Sequence, residues 1–315
     1  MRVSKERLAR LALLWSEAVG PGGLARLVAH FGTAWQALHA RREDLAVTSL
    51  RLNERQIALI TTLPGRLDQF EEEWRTCSQY YIRVLFPGDE GYPEPLVRIP
   101  NAPAVLTMYG NWLPTDDPAV AIVGTRRPTP EGEAITRELA AACARRGLTV
   151  VSGLARGVDE AAHRAAVEEG GRTLAVVGCG LLAIESRRTG GLERLIAEKG
   201  AVLSELGPYS KTTVPHLMAR NRLTSGLARA VLVVQSRQRG GALVTAEYAR
   251  KQERLVLAVP WPEGLPEGEG TAALLASGAK PVSSADEIAQ LGDDLHAAAG
   301  ERRPPQQLPL FGGEL

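Results

Sequence analysis

Six short runs of apolar, mostly β-branched residues mark the middle of the chain: VAIV at 120–123, TVV at 149–151, TLAVV at 173–177, AVL at 201–203, VLVV at 231–234 and LVLAV at 255–259. Most are continuous rather than alternating, which fits strands covered on both faces, as in a parallel sheet. Between them, stretches at 131–146, 159–169, 191–199, 216–229 and 243–252 read as helices. This alternation predicts a doubly wound α/β domain over residues 115–292.

Residues 1–80 differ in kind and predict short helices at 4–18, 22–30, 33–39, 54–62 and 66–79. The turn VGPGG, Val19 to Gly23, joins the first two. It is either a plain turn or a helix-hairpin-helix element with backbone N–H groups aimed at a phosphate. Residues 81–114 are proline-rich with two strand-like pieces, and predict a connector lying along the α/β domain. From 293 the chain turns polar, with Pro304 and Pro305, and predicts a disordered tail ending at Leu315. The expected fold class is therefore α/β: a doubly wound, mainly parallel, Rossmann-like sheet with a small all-helical N-terminal domain.

Composition narrows the function classes. Hydrophobic residues make up 44% and charged residues 23%, which excludes a wholly disordered chain. No apolar run approaches the ~18–20 residues that span a bilayer. Charges at Lys5, Glu6, Arg7 and Arg10 give the N-terminus the pattern of a helix and not of a signal peptide. Cys77, Cys143 and Cys179 are isolated, and the five histidines form no HxH or HExxH, so neither a disulfide framework nor a structural zinc is expected. A cytoplasmic protein without cofactor or membrane segment is the expectation. Charge is uneven: residues 121–260 hold 21 Lys/Arg against 13 Asp/Glu, while 261–315 hold 3 against 9. A basic middle fits an anionic partner, or simply arginine as the ordinary surface cation.

Four glycine-bearing loops follow strands: AIVGTRRPTPEG from Ala121, VVSGLARGVDEAAH from Val151, VVGCG from Val176 and RGGALVTAEYA from Arg239. They carry Gly124, Ser152, Gly153, Gly178, Gly180, Gly240, Gly241 and Thr245. Ligands of open parallel sheets bind outside the carboxyl ends of the strands, where glycine admits close approach and helix N-termini favour anions. Arginines fall in the same places: Arg126 and Arg127, Arg156, Arg220 and Arg222 around Asn221, and Arg237 with Arg239. Guanidinium groups suit phosphate oxygens. GxGxxG, GxxxxGK[ST] and GxSxG are absent, which argues against a dinucleotide dehydrogenase, a P-loop ATPase and an α/β-hydrolase. Asp159 and His163 lie one turn apart and form either a dyad or, the simpler reading, a helix-start acid with a packed imidazole. Tyr209 and Tyr248 are the only aromatics in 121–260, so base-stacking platforms are sparse.

Taken in order, AIVGTRRPT, SGLARGVDEAAH, TLAVVGCGL, VLSE, RNRLTSGLARAVLVV, GGALVTAEYA, LVLAVP and GTAALLASGAKPV resemble the DNA-processing protein A (DprA, or Smf) family. The resemblance implies a dimeric single-stranded DNA-binding protein with an extended Rossmann domain and a sterile-alpha-motif-like N-terminal domain. It would protect DNA in natural transformation and load the RecA recombinase, without established enzymatic activity. It implies a DNA pocket built from Gly124, Thr125 and Arg126, from Ser152, Gly153 and Arg156, and from Arg220, Asn221 and Arg222.

The sequence also departs from the family pattern. LAIESRRTGG follows GCG where an Asp and a Tyr-Pro pair are usual, and VPHLMA replaces the usual Phe-Pro before RNR. Trp261 follows AVP, Ala replaces Asn in GTAALL, and little chain remains for the C-terminal winged helix of many members. These mark a diverged relative. The alternative is a nucleotide-binding or nucleotide-hydrolysing enzyme of the LOG-type superfamily, with Glu247 in the acidic position. In the tail, Gln307, Leu308, Leu310 and Phe311 of QLPLF resemble the peptide that docks on the polymerase sliding clamp; the other readings are a patch folded back on the domain or a linker relic.

Overall fold

Residues 3–185 and 189–300 are described by the computed structural model. Nine strands form one sheet: β1 (Ile82–Leu85), β2 (Leu106–Gly110), β3 (Ala119–Val123), β4 (Thr149–Ser152), β5 (Thr173–Val176), β6 (Ala201–Ser204), β7 (Ala230–Val233), β8 (Leu255–Ala258) and β9 (Lys280–Pro281). Their order is β1-β2-β6-β5-β4-β3-β7-β8-β9. The strands from β3 to β9 pair in parallel. The chain winds outward from β3 to β6, then returns to the other flank of β3 for β7, so the order reverses between β3 and β7. Each run of continuous apolar residues predicted from the sequence is a strand, with both faces buried because helices cover both sides.

The connector is more than a strap. β1 and β2 form an antiparallel pair, and β2 pairs antiparallel with β6, Thr107 opposite Ser204. The expected mainly parallel sheet is thus extended by a mixed edge, which pairs the otherwise open side of β6. A second correction concerns the end of the chain. A helix over Ala285–Gly300 runs into the segment expected to be tail. Ile288 and Leu291 are buried and Leu295 half-buried against the helix Pro130–Arg145 and its strands, a stripe at helical spacing that the surrounding polar residues obscure. No helix among the described residues is long and apolar enough to cross a membrane.

The N-terminal unit contains helices Lys5–Trp15, Pro21–Phe31, Ala34–Leu38, Arg42–Leu45, Glu54–Thr62 and Leu67–Gln79. Ser4, Thr33 and Asn53 cap three of them through their side chains. Their apolar faces join Phe86, Val177 and Val202 in one cluster, so this unit packs directly on the sheet. The glycine hairpin meets the connector: a side chain at Gly22 would lie 3.3 Å from Asn101 Oδ1.

Asp159 and His163 share a helix, Val158–Glu168, and both are buried. Thr173 donates its hydroxyl to the Val150 carbonyl at 2.8 Å, so its oxygen accepts from His163 Nδ1 at 2.7 Å. The proton of the neutral imidazole therefore sits on Nδ1, and Nε2 faces no partner. Burial, with Arg220 nearby, pushes the imidazole down to about 3. Unfolded, it titrates near 6.5. The unfolded chain thus takes up a proton that the fold refuses, and stability falls as pH drops below about 6.5. Between pH 7.5 and 5.5 this group removes about 1.4 kcal/mol. Urea unfolding of the parent and of His163→Gln at both pH values checks it: the parent should lose more by about that amount.

Candidate nucleic-acid interface

The loops after β3, β4, β5 and β7 meet above the carboxyl edge of the sheet and are tied to one another. Thr125 N donates to the Gln235 carbonyl at 2.8 Å, and the Gln235 side chain exchanges hydrogen bonds with Thr129. Thr129 in turn caps the helix Pro130–Arg145, whose first residue is proline. Val158 N reaches the Thr125 carbonyl at 3.2 Å, closing the β4 loop onto the β3 loop. That contact needs Gly157, whose φ is 82° and whose missing Cβ would lie 2.5 Å from Thr125 O. Leu154, in the same loop, is held at φ 56°, a left-handed conformation seldom seen for a branched residue and concentrated at functional sites.

Two adjoining clefts result. The first, about 570 Å³, lies over β4 and β5 and is lined by Arg127, Gly153, Leu154, Arg156, Gly178 and Cys179, with Glu185 and Thr189 on its far wall. The second, about 490 Å³, lies at the β3/β7 reversal and is lined by Gly124, Thr125, Asn221, Arg239, Gly240, Gly241 and Thr245. Arg126, Ala155, Leu217 and Arg220 line both and form the ridge between them.

The cations divide sharply by environment. Arg126, Arg127, Arg156 and Arg239 are exposed and form no ion pair with any described residue. Arg137, Arg145, Arg164 and Arg237, also on the surface of this domain, all have carboxylate partners. Arg220 is buried: it donates to Gly153 O at 3.1 Å and Thr224 Oγ1 at 3.3 Å, and its Nε has no partner. A Cβ at Gly153 would fall 2.0 Å from its guanidinium, so only glycine fits there. Asp159 Oδ2 stands 3.9 Å from Arg220. Burial pulls the guanidinium below its usual range, Asp159 pulls it back up, and Arg126 pushes it down again. Burial likewise raises the Asp159 carboxyl, against Arg220, the backbone of Ala155 and Gly153, and Ser152. One carboxylate thus faces two guanidinium groups, and the ridge is an anion site by charge.

Three predicted contacts lie elsewhere. Arg222 is turned to the opposite side of the helix Val214–Gly226, where it forms a bidentate pair with Glu205 and donates to Asn101 O at 3.1 Å. The Ser152 hydroxyl is buried and donates to Ile122 O at 2.6 Å, bracing β4 to β3. Gly180 lets the chain pass the backbone of Gly207 and Pro208, 2.1 Å from where its Cβ would be. Glu247 pairs with Lys251 on an exposed helix face and lines neither cleft. Gln307, Leu308, Leu310 and Phe311 lie outside the described residues. The sequence reading passed over the apolar wall of the second cleft, Val214, Leu217 and Met218. Its signal was the run VPHLM, apolar where no core required it, with Val214 72% exposed.

Known proteins share this arrangement. Protein Smf of Synechocystis is 37% identical over 89% of this chain and 72% of its own length. DNA processing protein DprA of Streptococcus pneumoniae is 37% identical over 64% of the chain and 71% of its length. The X-ray structure of the S. pneumoniae DprA superposes with a TM-score of 0.73 at 28% identity, covering 92% of this chain and 98% of that one. DNA processing protein A of Helicobacter pylori, whose single-stranded DNA binding mode was the subject of its structure, gives 0.61 at 30% identity, covering 68% and 96%. Residues 4–41 match the DprA-like N-terminal HHH domain, and residues 83–292 match the DNA recombination-mediator protein A family. The chain, with this sheet, this ridge and these loops, belongs to the DNA recombination-mediator protein A (DprA/Smf) family.

Proposed function

We propose that this protein binds single-stranded DNA along the ridge and first cleft, and hands the strand to a RecA-type recombinase. The observation that carries the reading is the set of exposed arginines without carboxylate partners, Arg126, Arg127 and Arg156, above the buried Arg220. A strand needs phosphate contacts at successive positions, and phosphate contacts fix register without reading sequence. The H. pylori relative, described as binding single-stranded DNA, supports the choice of strand. The family's description as a recombination mediator supports the hand-over, and with it a cytoplasmic, homodimeric protein.

Fluorescence anisotropy with single-stranded and blunt duplex oligonucleotides at several salt concentrations tests this. Single strands should bind more tightly, with log affinity falling on log salt by about 0.7 per phosphate neutralised. Equal affinity for duplex, or a flat salt response, would sink the reading.

Arg126→Ala and Arg156→Ala should each weaken strand binding about tenfold or more, whatever the sequence, as expected for one lost charge-assisted contact. Their unfolding midpoints should stay at the parent value, because neither side chain packs in the core. Arg222→Ala should do the reverse. It leaves Glu205 without its buried partner and costs about 3 kcal/mol or more of stability in urea unfolding. A stable Arg222→Ala protein that had lost DNA binding would return Arg222 to the interface.

A further inference from the structure

The second cleft has the chemistry of a different ligand. It sits where the strand order reverses between β3 and β7, the crevice in which doubly wound sheets hold mononucleotides. Its volume of about 490 Å³ is that of a small-molecule site. Its floor is the start of the eleven-residue helix Gly241–Lys251, whose N-cap, Gly240, supplies no side-chain cap. The first N–H groups of that helix are left for an anion. An independent observation points the same way: the side chain of Arg220 is only 9% exposed, lines this cleft, and keeps an unpartnered Nε. Arg126 and Arg239 stand above it without carboxylate partners. Thr125 and Thr245 bring hydroxyls, and Asn221, which donates to Gly241 O at 3.4 Å, brings an amide. The opposite wall is apolar, with Val214 72% and Met218 41% exposed.

We propose that this cleft is a nucleotide site for a 5′-phosphomonoester, separate from the strand-binding first cleft. The phosphate sits at the Gly240–Gly241 helix start between Arg126 and Arg239, and the base lies on Val214 and Met218. A phosphomonoester carries close to two charges at neutral pH, which a helix start and two guanidinium groups can balance. The site binds and does not cleave. Asp159, the one carboxylate lining it among the described residues, is buried beside Arg220, and Glu247 is engaged by Lys251 outside it. The ligand has two sources, a free nucleotide or the 5′-phosphorylated end of a strand. The proposal goes beyond strand binding and stands without it, because a free nucleotide engages the second cleft alone.

The test is calorimetry on the full-length protein with dAMP, deoxyadenosine and inorganic phosphate. dAMP should bind saturably with a Kd below about 1 mM. Deoxyadenosine should not bind, and inorganic phosphate should bind at least about tenfold more weakly, since the base adds apolar contact. Arg239→Ala, which touches only the second cleft, should weaken dAMP about tenfold or more, while Arg156→Ala, which touches only the first, should leave it unchanged. No saturable dAMP binding, phosphate binding as tightly as dAMP, an unaffected Arg239→Ala, or release of free adenine would each overturn the proposal. Short oligonucleotides with a 5′-phosphate or a 5′-hydroxyl then identify the source. A preference for the phosphorylated end that Arg239→Ala erases assigns the cleft to strand ends. Equal binding of the two, with dAMP still bound, assigns it to free nucleotides. If the strand reading fails while dAMP binds as described, only the first cleft loses its assignment.

Discussion

The crest of this protein is organised by one buried guanidinium. Taking a charge out of water costs several kcal/mol unless good partners surround it. Arg220 has two hydrogen-bond acceptors, Gly153 O and Thr224 Oγ1, and a carboxylate at 3.9 Å, too far for a hydrogen bond. Its compensation is therefore incomplete, and Arg126 adds a like charge beside it. The shortage of negative charge is local, fixed in place and shared by both clefts. A phosphate supplies what Asp159 alone does not, so the fold is arranged around a ligand charge it lacks by itself. The neighbouring backbone follows from the same requirement: glycine at 153 makes room for the guanidinium, and glycine at 157 brings Arg126 and its loop over it.

Holding Arg220 there is the task of the helix Val214–Gly226. Arg220 and Arg222 are two residues apart, so they leave the helix on opposite sides. Arg222 grips Glu205, just after β6, and the carbonyl of Asn101 in the connector. Asn101 also lies against Gly22 of the N-terminal hairpin, and Trp15 packs on Gly207 in the loop after β6. The N-terminal unit, the connector and the β6 loop thus brace one side of the helix whose other side presents Arg220. That arrangement gives the helical unit a positional part in the site without a contact to ligand.

Much of this was legible in the sequence, and the limits are physical. Continuous apolar runs located β3 to β8 to within about a residue, because strands buried on both faces have no polar positions to confuse the pattern. The glycine loops and Arg126, Arg127 and Arg156 were legible because their position after a strand places them at one edge of the sheet. β1 and β2 were hidden by their prolines, and the last helix by its acids, since in each the apolar stripe is narrow and its meaning depends on what it packs against. The RNR triplet shows the harder limit. Both arginines look alike in sequence, yet one faces the clefts and the other a buried glutamate. Only the partner chosen by the tertiary fold, Asp159 or Glu205, tells them apart. Ser152 and Gly180 follow the same rule: their chemistry suits a phosphate, but the backbone of Ile122 and of Gly207 claims them first.

The same reasoning explains why net charge was a poor guide and pairing a good one. The basic excess of residues 121–260 is largely neutralised where it lies, through Glu168, Glu169 and Glu160, and from the acidic last segment through Glu267 and Asp293. Exposed pairs of this kind contribute little stability, but each removes a cation from competition for an anionic ligand. Arginines left without a carboxylate gather on the carboxyl edge of the sheet, around helix starts that already favour anions. With no Phe or Trp in that region, recognition there depends on phosphate and on a small apolar wall rather than on stacked bases. Such a surface holds nucleic acid by charge and shape while remaining indifferent to sequence, which is what a protein handling arbitrary strands requires.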